Sequence, residues 1–316
     1  MRRALVIAAA VVLAAGSASG CRGSGEASAG ASGGAGRAVA PLQVANGPAQ
    51  APTPGQAPLT LHVAGGHDAV HLRFGHQPRS GLLFDLDTGE VLWRRLPTRV
   101  LPIASLTKMM TALLVVERAP PDAKVLVTKE ALAYHGSGIG VLPKGKRVML
   151  ETMLNGLMLP SGNDAAIALA QRVSGTVARF VDRMNAMARE LGLPCTRFSS
   201  PSGFVDAGNH SCAADLAVLA RAVLDQPRLA RIVRRRRAIL PFPIKGGRLF
   251  LFNNNPLLIQ GYPGTIGVKT GFTDAAGRCL VAAARRHGRR LAVVLLHSPD
   301  PGRQASMLLD RGFALR

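Results

Sequence analysis

A chain of 316 residues, 47% of them apolar, can bury a full core and suits one large domain with appendages or two small domains. Its formal net charge of +21 rests on 32 arginines and 7 lysines against 18 acidic residues. Such a balance excludes an acidic protein and directs attention to nucleic acid, anionic polymers or membrane surfaces as partners.

The N-terminus narrows that choice. Met1-Arg2-Arg3 precedes the apolar run Ala4 to Ala15, too short for a typical membrane span and suited to the core of a signal peptide. Small residues from Gly16 to Gly20 lead to Cys21, so residues 1–20 are expected to be removed on export. Cleavage there would expose Cys21 for lipidation, although Ala18 stands where leucine is commoner in such signals and plain secretion needs only the small residues. Both readings place the protein outside the cytoplasm and remove nucleic acid from its partners. Residues 21–66 are dominated by Gly, Ala, Ser and Pro and cannot bury enough surface to fold, so they read as a linker.

Residues 67–316 are the expected folded domain. Gly81 to Leu86 and Glu90 to Arg94 read as two strands joined by Asp87-Thr88-Gly89. The stretch Ile103 to Glu117 follows, apolar on nearly every side and therefore a buried helix, yet it contains Lys108. An ammonium group there is costly unless it is paired or its pKa is lowered. Ser105 lies three residues earlier on the same face, and a serine beside a desolvated lysine is one way to build an activated nucleophile.

A mostly helical middle is expected from about Lys129 to Asp225, with Ser161-Gly162-Asn163 opening one helix in the manner of an N-cap. Strand signals return at Ala238 to Pro243, Arg248 to Phe252, Thr265 to Lys269, Arg278 to Ala284 and Leu291 to His297, and Gln304 to Gly312 closes as a helix. Strands at both ends of a helical middle imply an α+β fold: one central antiparallel sheet flanked by helices, with a mostly helical middle subdomain. The run Arg234 to Arg237 reads as a solvated hairpin face, with a polyanionic wall polymer as the alternative partner. Cys195 and Cys212 flank one loop and are the candidate disulfide pair in an oxidising compartment, while Cys279 falls in an apolar strand.

Three short elements occur in chain order: Ser105-Leu106-Thr107-Lys108, Ser161-Gly162-Asn163 and Lys269-Thr270-Gly271. Each is bland alone, but S-x-x-K, S-x-N and K-T-G together form the motif set of penicillin-binding proteins and class A β-lactamases. With Leu159 to Ala166, Leu191 to Gly203 and Gly267 to Gly277, the stretch from about Gly81 to Arg316 resembles the low-molecular-mass penicillin-binding proteins, the S11-type serine D-alanyl-D-alanine carboxypeptidases.

The resemblance implies a DD-peptidase/β-lactamase-like fold and a set of roles. Ser105 would attack the penultimate D-alanine carbonyl, Lys108 would be the general base, Ser161 would relay the proton to the leaving amine, and Asn163 would bind Lys108 and the substrate amide. Lys269 and Thr270 would hold the terminal carboxylate. Gly271 would let the substrate backbone run close to the strand, and the N–H groups of Ser105 and Phe272 would form the oxyanion hole. Implied partners are peptidoglycan stem peptides, β-lactams as covalent inhibitors, and the membrane through a lipid on Cys21; no metal or cofactor is implied. A D-alanyl endopeptidase would use the same groups. A β-lactamase would need a downstream carboxylate, and Glu190 is the only glutamate after Asn163. A non-catalytic penicillin-binding lipoprotein should have lost at least one of the three motifs.

Overall fold

The structure, a computed structural model, describes residues 60, 61, 63, 67–244 and 246–315. The expected signal peptide, Cys21 and all of the expected linker except Thr60, Leu61 and Val63 lie outside the described residues.

In chain order, β1 (Ser80–Asp85) and β2 (Val91–Arg95) form a hairpin. Its turn is fixed by Asp85, whose Oδ1 accepts the N–H groups of Asp87 and Thr88. The short β3 (Leu101–Pro102) leads into a 3₁₀ turn, Ala104–Thr107, and the helix α1 (Lys108–Arg118). Next come β4 (Lys124–Leu126), α2 (Lys129–Leu132) and β5 (Arg147–Met149). The helices α3 (Leu150–Met158), α4 (Asn163–Ser174) and α5 (Val177–Glu190) follow. After β6 (His210–Ser211) come α6 (Ala213–Asp225) and α7 (Pro227–Val233), then the hairpin of β7 (Arg237–Pro241) and β8 (Arg248–Phe252). The chain closes with α8 (Pro256–Gln260), β9 (Thr265–Thr273), β10 (Gly277–Arg286), β11 (Arg289–Leu296) and α9 (Pro301–Ala314).

The central sheet has the order β2-β1-β11-β10-β9, every neighbour antiparallel. Its strands are apolar on both faces because both are covered. Leu82, Phe84, Val281, Ala283 and Val294 point into the larger core with α1, α3, α4 and α6. Leu83, Leu280, Ala282, Val293 and Leu295 alternate to the other side and pack on Leu308 and Leu309 of α9. The fold is the expected α+β arrangement, with β9 left at one edge beside the turn that carries Ser105.

Two expectations are corrected. The strands around Ala238 and Arg248 do not join the central sheet; β7 and β8 pair only with each other. The reason is one-sided burial: Ala238, Leu249 and Leu251 face the helical core while Arg237, Ile239, Arg248, Phe250 and Phe252 face outward, so the hairpin lies on the helices rather than within a covered sheet. The second correction concerns the predicted helix from Ile103. The first turn, entered at Ala104 with φ +48°, is 3₁₀, and the α-helix starts only at Lys108. That tighter winding eclipses positions three apart and sets Ser105 directly over Lys108. Cys195 and Cys212 are joined as a disulfide, with Cα atoms 5.6 Å apart.

Candidate active site

Lys108 is fully buried, and its Nζ has three partners: Ser105 Oγ at 2.8 Å, Asn163 Oδ1 at 2.6 Å and the Ser202 carbonyl at 2.8 Å. The amide of Asn163 is oriented by its other end, since Nδ2 donates to the His135 carbonyl at 2.5 Å. Two partners of Lys108 can therefore only accept, and the third is a hydroxyl that can donate. A neutral amine, with two N–H groups and one lone pair, fits that set by receiving the Ser105 proton. The surroundings favour this neutral form. Burial pushes the Lys108 pKa well below the ordinary lysine value and the charge of Lys269 adds to it, with Asp164 opposing.

Asn163 starts α4, and the turn before it is tightly determined. Ser161 takes φ +70°, a conformation costly for a residue with a side chain, and its buried Oγ has no hydrogen-bond partner among the described residues. A Cβ on Gly162 would stand 2.7 Å from Asp164 Oδ1 and 3.0 Å from the Gly156 carbonyl. The buried Asp164 accepts the N–H groups of Ile139, Gly140 and Ala165, pinning the 137–140 loop to the start of α4. Burial raises its pKa, with those N–H groups working in the other direction. The same loop receives the Asn163 N–H at the Ser137 carbonyl.

The third element lies on the edge strand β9. Lys269 is buried, its Nζ donates to the Thr270 carbonyl at 2.9 Å, and burial pushes its pKa down to about 7. Thr270 is half-buried, and the Phe272 side chain is exposed. Gly271 is also constrained from the protein side. A Cβ there would meet the Ile103 carbonyl at 3.0 Å, the Ala104 Cβ at 3.2 Å and the Ser105 nitrogen at 3.2 Å. The turn that carries Ser105 lies against this position, so Gly271 lets β9 seat closely on that turn.

Ser105, Lys108 and Asn163 are thus in direct contact, Lys269 is near enough to bias Lys108 electrostatically, and Ser161 bonds to none of them. Sequence reasoning missed the groups that hold this arrangement. The carbonyls of Ser202 and His135 leave no side-chain signature. Asp164 reads as an ordinary acid in a first helical turn. Thr107 and Asn209, both buried, bond to each other at 2.8 Å and tie the 3₁₀ turn to the segment before β6.

Residues 69–300 match the family model described as D-alanyl-D-alanine carboxypeptidase, Peptidase S11. The chain is 34% identical over 247 residues to the D-alanyl-D-alanine carboxypeptidase DacF of Bacillus subtilis, covering 76% of this chain and 63% of that protein. It is 37% identical over 242 residues to the D-alanyl-D-alanine carboxypeptidase DacB2 of Mycobacterium tuberculosis, covering 74% and 81%. The crystal structure of a D-alanyl-D-alanine carboxypeptidase from M. tuberculosis superposes with a TM-score of 0.73 at 35% identity, over 78% of this chain and 95% of that one.

Proposed function

The chain belongs to the Peptidase S11 family of D-alanyl-D-alanine carboxypeptidases, and from that premise we propose that residues 67–316 are a serine carboxypeptidase domain acting on peptidoglycan stem pentapeptides. One observation carries the chemistry: a buried Lys108 amine within hydrogen-bond distance of Ser105 Oγ, with its other two partners able only to accept.

Lys108 Nζ takes the hydroxyl proton as Ser105 Oγ attacks the carbonyl of the penultimate D-alanine. The oxyanion forms against the N–H groups of Ser105 and Phe272. Collapse breaks the peptide bond, and the proton held on Lys108 passes through Ser161 Oγ to the nitrogen of the departing D-alanine. The unpartnered Ser161 Oγ supports this relay, since a hydroxyl engaged elsewhere could not both accept and donate. Water then attacks the Ser105 ester, gives its proton to Lys108 and frees the shortened stem peptide. Lys269 and Thr270 hold the terminal carboxylate, and Asn163 holds both Lys108 and the substrate amide. β-Lactams enter by the same attack and remain as the acyl-enzyme. The enzyme works outside the cytoplasm, after loss of residues 1–20, tethered through residues 21–66 and lipidated on Cys21.

The test is release of D-alanine from an N-acylated Lys-D-Ala-D-Ala peptide, run beside a cross-linked muropeptide dimer. Release by the parent and none by Ser105→Ala is expected. Cleavage of the dimer alone would replace the reading with an endopeptidase, and inertness toward both would overturn it. An exported chain whose N-terminal Cys21 carries no lipid by mass spectrometry would remove the lipid anchor.

A further inference from the structure

Between Asp225 and Asp274 the chain carries no acidic residue, while seven arginines and two lysines fall in the same stretch. The β7–β8 hairpin lies at its centre and turns its apolar outer positions to solvent. Ile239 is directly opposite Phe250, and Phe252 is opposite Arg237. Ile239, Phe250 and Phe252 are 49%, 44% and 61% exposed. Beside them Arg236 donates to the carbonyl of Ile259, itself 59% exposed, and a groove of about 580 Å³ runs between Arg236, Arg237, Phe252 and Ile259. Arg248 closes the far end of the hairpin. Among the described residues, none of Arg236, Arg237 and Arg248 has an ion-pair partner.

We propose that this outer face of the hairpin docks the domain onto an anionic phospholipid bilayer. Exposed phenylalanine and isoleucine framed by arginine is the pattern of an interfacial surface, in which the rings enter the headgroup boundary and the guanidinium groups meet lipid phosphates. A soluble polyanion would satisfy the arginines but gives the rings no reason to face outward. A second copy is disfavoured by charge, because a self-complementary contact would bring two acid-free arginine patches together. The inference does not depend on the chemistry assigned to Ser105.

The test is co-sedimentation of the exported chain carrying Cys21→Ala, so that no lipid contributes. Vesicles of equal phosphatidylglycerol and phosphatidylcholine are compared with phosphatidylcholine alone. The expected result is binding to the anionic vesicles only. Phe250→Ser/Phe252→Ser, which changes no charge, should weaken it by about tenfold or more. Arg236→Gln/Arg237→Gln should weaken it by about fivefold for each arginine. The same charge loss on the exposed positions Arg179→Gln/Arg183→Gln of α5 should have little effect. Thermal unfolding of each variant checks that it is folded. Failure of the parent to bind, or binding of the phenylalanine variant as tight as the parent's, would overturn the proposal. So would sedimentation-velocity evidence of a dimer that this variant abolishes, since that assigns the face to a second copy.

Discussion

Gly203→Ala tests the close backbone contact beneath the turn that carries Ser105. Gly203 has φ +72°, and a Cβ there would lie 2.0 Å from the Ala104 carbonyl oxygen and 2.5 Å from Thr107 Oγ1. A relaxed carbon–oxygen contact needs about 3.3 Å, so the two backbones must part by roughly 1.3 Å. Neither side can yield freely. Ala104 is itself held at φ +48° one residue before Ser105, and the residue preceding Gly203 supplies the carbonyl that holds Lys108. A displacement of about 1 Å between reacting groups costs on the order of 10²-fold in rate. Gly208→Ala is the matched control, with φ +71° and nothing nearer than the Ser199 Cβ at 3.5 Å. Both substitutions should cost about 1–2 kcal/mol of stability through the left-handed backbone. Only Gly203→Ala should slow acylation by a fluorescent penicillin about 100-fold, whereas Gly208→Ala should stay within about threefold. A folded Gly203→Ala protein that acylates at the parent rate would refute the reasoning.

Other outcomes follow from buried charge and from the cross-link. Lys269 is buried with a pKa pushed down to about 7 from 10.5, so its protonation opposes folding below that range and ceases to matter above pH 10.5. Lys269→Met should therefore stabilise the protein at pH 6, by on the order of 4 kcal/mol, with the gain gone by pH 10.5 and activity lost throughout. Equal urea midpoints for parent and variant at pH 6 would contradict this. Asp85 behaves in the opposite sense: burial pushes its pKa up, but the Arg289 guanidinium and the N–H groups of Asp87 and Thr88 outweigh that and hold it below the usual 3.8. Asp85→Asn should cost about 1–3 kcal/mol at neutral pH, a difference that fades as the pH falls through the folded pKa, measured by thermal unfolding from pH 7 to 3. Opening the Cys195–Cys212 loop, whose partners are 17 residues apart, should cost about 3 kcal/mol, read from unfolding of Cys195→Ala/Cys212→Ala.

The central sheet was legible because β1, β10 and β11 are apolar on both faces, a pattern only a doubly covered strand sustains. The pairing of β7 with β8 alone was not, since alternation shows that one face is exposed but not which neighbour a strand finds. Lys108 stood out by its cost, and its serine by spacing. The tighter first turn was not legible, because the apolar run from Ile103 reads as one continuous helix. Contacts made by main-chain carbonyls, such as those of Ser202 and His135, were hidden because every residue type offers the same group.

The most direct test of a neutral Lys108 is an NMR titration of the lysine Nζ groups in ¹⁵N-lysine-labelled protein, the Lys108 signal being the one missing from Lys108→Arg. A neutral Lys108 requires a Nζ signal that titrates well below the ordinary lysine value, because burial and then the charge of Lys269 disfavour the ammonium form. A Lys108 signal that titrates at or above the ordinary lysine value of 10.5 would leave Ser105 without its proposed base and contradict the mechanism.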